Sequence, residues 1–300
     1  MHWRDGYIAV DWGTTNRRAW HVAPDGQIVA QFDDDIGIMA VPPGRFEQAA
    51  AEVRTRLGDL PMLLGGMVGS NRGWREAPYA SAPAGMETVA KNILWIESGR
   101  TGIVPGISQQ GISQQGAAGA DVMRGEEVQV FGAIAAGLMA PDGLVCHPGT
   151  HAKWIRIAQR QITMFRTMMT GELFALLSRH SILAAQLEAD VTAGEAFHAG
   201  VDEALAGGDV LSGLFRIRAR HLLGEEKRSG EGASYASGLL IGCDVRVGLT
   251  LGDARHVTLI GRPDLCALYA AAIARAGRET SMVDGAQAFL AGMHQLVETL

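Results

Sequence analysis

The sequence predicts an α/β protein in which one architecture occurs twice. The apolar run Tyr7-Ile8-Ala9-Val10 leads into the turn Asp11-Trp12-Gly13-Thr14-Thr15-Asn16. Two further apolar-alternating runs follow, over 18–23 and 27–32, with Pro24-Asp25-Gly26 between them. The same order of strand, Gly-Thr turn, strand, turn and strand returns over 143–165, around Pro148-Gly149-Thr150-His151. Elsewhere, stretches of helical spacing alternate with short apolar strands, as expected for sheets covered by helices.

After the first meander, residues 45–57 predict a helix. Pro61-Met62-Leu63-Leu64 predicts a buried strand that ends in the corner Gly65-Gly66-Met67-Val68-Gly69-Ser70-Asn71. Residues 72–83, rich in Gly, Pro, Trp and charge, predict a loop with functional side chains. Within 106–116 the pentapeptide Gly-Ile-Ser-Gln-Gln is immediately repeated. Extra surface-loop length costs little closure entropy, so this reads as a loop expansion. Residues 121–138 predict a helix with polar residues at its start, and 170–247 are mostly helical by apolar spacing. Val257-Thr258-Leu259-Ile260-Gly261 is a buried strand feeding a helix over 265–276; a short strand over 280–283 and a last helix beginning near Gly285 complete the chain.

Bulk properties narrow the function. The 300 residues allow one or two domains. A hydrophobic content of 47% against 19% charged residues supports a large core. The net charge of −6 and the lack of a long basic run argue against nucleic acid. Cys146, Cys243 and Cys266 are odd in number and form no disulfide framework, so reduced thiols are expected. Cys146, His147 and His151 lie across a Pro-Gly-Thr turn without the further ligands that zinc needs. Residues 1–6 lack an apolar signal core, and no apolar segment reaches the roughly 18 residues of a membrane span. A soluble, cytoplasmic protein is expected. Neither a Gly-x-x-x-x-Gly-Lys-Ser/Thr loop nor a Gly-x-Ser-x-Gly elbow occurs.

The first Gly-Thr turn is suited to phosphate. Gly13 lets the backbone approach a ligand, and the N–H groups and hydroxyls of Thr14, Thr15 and Asn16 can cradle phosphate oxygens. Asp11 can hold Mg²⁺ through water. Taken alone, the stretch is equally an ordinary hairpin that uses Thr and Asn for its turn. The second turn changes the balance: two such hairpins facing each other can clamp a nucleotide's phosphates, as in a two-domain phosphotransferase.

The layout resembles the superfamily of actin, hexokinase and the heat-shock ATPases, and within it the 2-dehydro-3-deoxygalactonokinase family of bacterial sugar-acid kinases. The resemblance covers nearly the whole chain. It rests on Val10-Asp11-Trp12-Gly13-Thr14-Thr15-Asn16, on the corner 65–70 with Gly73-Trp74 and Pro78-Tyr79, and on Val104-Pro105-Gly106. Its more specific blocks are Asp121-Val122-Met123-Arg124-Gly125-Glu126-Glu127, His147-Pro148-Gly149-Thr150-His151-x-Lys153-Trp154 and Phe165-x-Thr167-Met168-x-Thr170-Gly171-Glu172-Leu173. The tandem pentapeptide departs from that pattern.

The resemblance implies an α/β fold of duplicated ribonuclease-H-like domains with an interdomain cleft. The expected division is 1–116, with the first phosphate loop and the substrate side, and 117–300, with the second phosphate loop and the adenine side; the last helix is expected to pack back on the first domain. The implied activity is ATP-dependent, Mg²⁺-assisted phosphorylation of 2-dehydro-3-deoxy-D-galactonate at its 6-hydroxyl, in galactonate breakdown. The implied partners are the sugar acid and ATP, with no nucleic acid and no membrane; monomer and homodimer both stay open.

Roles follow from that implication. Asp11 contacts the metal; Gly13, Thr14, Thr15 and Asn16 hold the phosphates, and Gly149 and Thr150 hold them from the second domain; Lys153 either reaches a phosphate or is a solvated charge on its hairpin. The base is one of Asp121, Glu126 and Glu127: counting back from Gly132 favours Glu126, and residue type favours Asp121. Arg124 could neutralise a neighbouring acid or steady the transferring group. Gly66, Met67, Ser70 and Asn71 offer N–H groups to the substrate carboxylate, Arg17 and Arg72 offer guanidinium groups, Trp74 and Tyr79 offer walls, and Glu76 accepts hydroxyls. Ser237, Gly238 and Gly261 belong to the adenine side. Thr170, Gly171 and Glu172 read first as a helix cap. Two alternatives remain: a kinase of another sugar in the same superfamily, and a nucleotide-gated binding module that transfers nothing.

Overall fold

In a computed structural model the described residues are 3, 5–110, 119–225 and 231–300. The second copy of the pentapeptide therefore falls outside the described residues. In chain order the first elements are β1 (Tyr7–Trp12), β2 (Arg17–Val22), β3 (Ile28–Asp34), α1 (Phe46–Leu57) and β4 (Met62–Gly65). Next come β5 (Ala80–Ser81), α2 (Met86–Lys91), β6 (Leu94–Glu97), β7 (Thr101–Ile103), β8 (Ile107–Gln109), β9 (Asp121–Met123) and α3 (Glu126–Ala135). The second meander is β10 (Gly143–His147), β11 (Ala152–Ala158) and β12 (Gln161–Met168). The helices α4 (Thr170–His180), α5 (Glu195–Leu205), α6 (Val210–Leu223) and α7 (Glu231–Gly248) follow. The chain ends with β13 (His256–Gly261), α8 (Pro263–Arg275), β14 (Glu279–Asp284) and α9 (Gly285–Thr299).

The chain groups into two compact units. The first is Met1–Asp142 with Ile157–Met164 and Gly285–Leu300, and the second is Gly143–Arg156 with Phe165–Asp284. The division thus falls at 142/143 rather than at 116/117. The reason lies in the pairing of β9 with β8 and the packing of α3 on α9, both inside the first unit.

The first unit carries a six-stranded sheet in the order β3-β2-β1-β4-β7-β6. β1 pairs antiparallel with β2 and parallel with β4. A strand flanked on both sides and covered by helices must be apolar throughout, and β1 is buried except at Asp11, near its C-terminal end. Trp12, Phe46, Val53, Met62, Leu64 and Val68 belong to the core beneath α1.

A five-stranded sheet in the order β12-β11-β10-β13-β14 belongs to the second unit apart from Ile157–Met164, the end of β11 and start of β12, which group with the first. β10 takes the place of β1, β13 that of β4 and β14 that of β7, with β10, β13 and β14 running parallel. The duplication inferred from the two Gly-Thr turns is therefore a duplication of sheet order. A helical core packs Leu183, Leu187, Ala204, Leu214, Ile217 and Leu239 together.

One predicted element is corrected. Residues 121–138 do not form one helix. Asp121-Val122-Met123 is a strand in antiparallel register with Gln109, Ser108 and Ile107. Gly125, at φ 106°, turns the chain, and the helix starts at Glu126. That positive φ favours glycine.

Candidate active site

In the first unit, Asp11 is the last residue but one of β1, and the turn follows Trp12. The carbonyls of Gly13, Thr14 and Thr15 accept hydrogen bonds from the N–H groups of Ile38, Met39 and Gly37 at 3.0, 3.2 and 3.1 Å. These bonds pin the turn from below, and Thr14, Thr15 and Asn16 remain exposed. Gly37 was not anticipated: a Cβ there would run into the backbone of Thr14 and Thr15. Arg18 Nη2 lies 2.6 Å from Asp11 Oδ2.

The other Asp11 oxygen faces a pair of glycines. Gly66, at φ 87°, would place a Cβ 3.4 Å from Asp11 Oδ1, and Gly125 would place one 3.3 Å from the Gly66 Cα. Gly66 thus stands close both to the Asp11 carboxylate and to Gly125 at the start of α3. Among the described residues no cluster of three or more His, Cys, Asp or Glu stands ready for a metal. A single carboxylate beside a glycine-lined space fits Mg²⁺, which keeps waters and takes phosphate oxygens rather than an all-protein cage.

The three candidate bases are in different circumstances. Asp121 is half-buried on β9, and its Oδ1 accepts from the Val122 N–H at 2.8 Å. Glu126 is half-buried at the first position of α3, with Oε2 accepting from the Arg124 N–H at 3.0 Å. Glu127 is fully buried, and both its oxygens accept from the Gly125 N–H at 2.9 and 2.8 Å. Burial first, and the Glu126 charge second, push the Glu127 carboxyl up to about 8 against the partial offset of Gly125 and Arg124.

The folded state holds a proton on Glu127 that the unfolded state releases above the ordinary value of 4.5. The native state therefore binds more protons between that value and about 8, so stability falls as pH rises through this window. The slope from this group is at most about 1.4 kcal/mol per pH unit. Glu127→Gln, neutral throughout, is expected to flatten that part of the curve in denaturant melts; an unchanged slope would contradict the buried proton.

Arg17 is corrected. It shares the inward face of β2 with Ala19, is 1% exposed, and grips Asp34 through Nε and Nη2 at 3.2 and 2.8 Å. Its Nη1 donates to the Ala49 carbonyl at 3.0 Å, and its guanidinium stacks 4.9 Å from the Trp12 ring. A fork so occupied holds β2, β3 and α1 together rather than a substrate. Burial pushes the Asp34 carboxyl up, and Arg17, the Ile36 N–H and Arg56 together outweigh that, leaving it lowered.

On the expected substrate side, Met67 begins a short 3-10 turn, and Met67 and Trp74 pack on the core. Ser70 is buried, with its Oγ accepting from the Arg72 N–H at 3.3 Å. Asn71, Arg72 and Glu76 are exposed. Arg124 is buried over the Tyr79 ring at 4.4 Å, with Nη2 donating to the Ala77 carbonyl at 2.9 Å.

In the second unit the turn after β10 leaves Gly149 half-buried and Thr150 exposed. Lys153 is buried, and its ammonium donates to the His151 carbonyl within that turn at 3.2 Å. The first turn of α4 packs directly on this corner. The Glu172 N–H donates to the Thr150 carbonyl at 2.9 Å, and a Cβ on Gly171 would come within 2.5 Å of the Gly149 carbonyl. His151 Nε2 lies 2.5 Å from Glu172 Oε2.

Beside the corner is a small cavity of about 150 Å³. Gly149, Thr170, Gly171 and Ser237 belong to its lining, and Leu240, Ile241, Leu265 and Leu268 are among the apolar walls that make up nearly all of its surface. Gly261, at φ 148°, stands next to the corner, 3.5 Å from the Pro148 carbonyl as measured from a built Cβ. Gly238 is elsewhere: it lets α7 approach α5, since a Cβ there would meet the Phe197 carbonyl. Thr170 is not a cap. Met169 holds the cap position, without a side-chain cap bond, and the Thr170 hydroxyl donates to Asp244.

The duplicated sheets, each with a Gly-Thr turn after its central strand, define an α/β fold class built of two related units. The chain belongs to the 2-keto-3-deoxy-galactonokinase family, whose model matches residues 11–296. It is 36% identical over 297 residues to the 2-dehydro-3-deoxygalactonokinase of Escherichia coli K12, with 98% of each chain covered. A Sinorhizobium meliloti crystal structure, described as that of a candidate 2-dehydro-3-deoxygalactonokinase, matches at TM-score 0.89 and 35% identity over 97% of each chain. Component A of the Acidaminococcus fermentans (R)-2-hydroxyglutaryl-CoA dehydratase shares the fold alone, at TM-score 0.50, 13% identity and 97% of each chain. No helix among the described residues is long and apolar enough to cross a membrane.

Proposed function

We infer that the chain transfers the γ-phosphoryl group of ATP to the 6-hydroxyl of 2-dehydro-3-deoxy-D-galactonate, acting in the cytoplasm in galactonate breakdown. Membership of the family supports the substrate. The observation that carries the chemistry is the meeting of Asp11, Gly66 and Gly125, which sets a metal-suited carboxylate beside the first turn of α3.

Phosphoryl transfer asks a protein mainly for positioning and charge neutralisation. Asp11 is the residue that holds Mg²⁺, which when bound neutralises phosphate charge. The exposed Thr14, Thr15 and Asn16 bind phosphate oxygens, as do Gly149 and Thr150 of the second unit with Lys153 behind their turn. Glu126 accepts the proton of the 6-hydroxyl. The hydroxyl oxygen bonds to the γ-phosphorus, the bond from that phosphorus to the β,γ-bridging oxygen breaks, and ADP leaves. Glu126 is preferred to Asp121 because it adjoins Gly125, which touches Gly66. It is preferred to Glu127 because Glu127 is sealed from solvent and carries its own proton.

The cavity beside Gly149 takes the adenine, with Ser237 in its lining and Gly261 outside it at the Pro148 corner. The Ser70 N–H is already donated to the Met67 carbonyl at 3.0 Å, so the substrate carboxylate meets the N–H groups of Met67 and Asn71 and the guanidinium of Arg72, while Trp74, Tyr79 and Glu76 border the hydroxyls. An ADP-release assay over 2-keto-3-deoxy acids and neutral hexoses, with and without Mg²⁺, tests this. The expected result is Mg²⁺-dependent turnover that is fastest with the galactonate derivative. Faster turnover of a neutral hexose would replace the substrate assignment.

A further inference from the structure

Asp244 lies on α7, is 3% exposed, and has no cation beside it among its recorded partners. Three donors from three separate elements converge on its carboxylate. Trp154 of β11 donates its indole N–H to Oδ1. Thr170 of α4 donates its hydroxyl to Oδ2, and Tyr269 of α8 donates its own to the same oxygen at 2.7 Å. A buried carboxylate is costly, and a well-packed apolar group is often the more stable solution. What an apolar group could not do is tie three elements to one point.

Two of the three tied residues, Thr170 and Tyr269, line the cavity beside Gly149. Thr170 also begins α4, whose next two residues are those in contact with the Gly149–Thr150 turn. The chain of contacts runs from Asp244 to Thr170, from Gly171 to Gly149, and from Glu172 to Thr150. Each link is a hydrogen bond or a backbone approach too close for a side chain. Trp154 differs from the other two donors: it bonds to the same carboxylate and does not line the cavity.

We propose that Asp244 is a positioning residue for the nucleotide: through Thr170 and Tyr269 it fixes the first turn of α4 and one wall of the cavity, and so sets how tightly the second Gly-Thr turn holds ATP. This rests on the reading of that turn and cavity as a nucleotide site. Leaving a buried donor unsatisfied costs about 1–3 kcal/mol, so losing such an anchor is worth about 5- to 100-fold in affinity where that geometry is needed.

The test is steady-state kinetics and calorimetric ATP titration of the full chain, with Asp244→Asn, Thr170→Val and Trp154→Phe. Asp244→Asn and Thr170→Val are expected to raise KM and Kd for ATP by about tenfold or more, with KM for the sugar acid within about twofold. Trp154→Phe removes a donor from the same carboxylate; it is expected to melt at a lower temperature and to keep KM for ATP within about twofold. Equal ATP effects in all three variants, or unchanged ATP affinity in folded Asp244→Asn, would overturn the proposal. Should Asp244→Asn not fold, the contrast between Thr170→Val and Trp154→Phe decides. An unaltered chain that binds no ATP would remove the nucleotide reading itself, and this inference with it.

Discussion

Asp11→Asn is expected to lower kcat by about 10³-fold while moving the melting temperature by no more than a few degrees. The first half follows from charge. A metal held through one carboxylate loses its anchor when that carboxylate becomes a neutral amide, and about 4 kcal/mol of lost transition-state stabilisation corresponds to that factor. The second half follows from what Asp11 does for the fold. Its recorded ion pair is with Arg18, whose side chain is 42% exposed, and pairs of that kind contribute about 0–1 kcal/mol. The strand around it is secured by its apolar residues and its ladder bonds, which the amide leaves in place. Activity assays and thermal melts on the same preparation check both halves. Parallel losses would mean that Asp11 is structural.

Glu126→Gln is expected to reduce kcat by about 10²- to 10⁴-fold, the usual weight of a general base, with Kd for ATP within about threefold. The substitution is mild for the structure. The amide oxygen of Gln can still accept from the Arg124 N–H, which keeps the turn into α3 intact. What is lost is the ability to take a proton. Asp121→Asn, on the strand before the turn, is the matched control and is expected to stay within about threefold of the unaltered rate. The opposite pattern would move the base to Asp121.

Much of this arrangement was legible in the sequence because it is local. Each meander follows from alternating apolar runs punctuated by a Gly-Thr turn, with Asp25-Gly26 as the second turn of the first, and their recurrence gave the paired sheets. What escaped was non-local. The strand Asp121–Met123 has its partner at Ile107–Gln109; three residues cannot announce a strand whose partner lies beyond a long connection. Arg17 looked like a substrate cation because it follows the phosphate turn. The contrary sign was present: it shares its face of β2 with the buried Ala19, opposite an acidic run that sets Asp34 in register with it. Gly37 and Gly125 act by backbone proximity to segments far away in sequence. Asp244 sits in a helix of no special pattern, and its donors come from positions 154, 170 and 269; no spacing rule joins them.

The central claim is that this chain moves a phosphoryl group onto a sugar acid rather than only binding or hydrolysing ATP. The most direct measurement is ³¹P–¹H correlation NMR of the product formed from ATP, Mg²⁺ and 2-dehydro-3-deoxy-D-galactonate, run in parallel with Glu126→Gln. The account predicts a phosphate coupled to the C6 protons with the unaltered chain, and none with the variant although ATP is still bound. ADP accompanied only by inorganic phosphate, or ATP that stays intact on a folded chain, would contradict it.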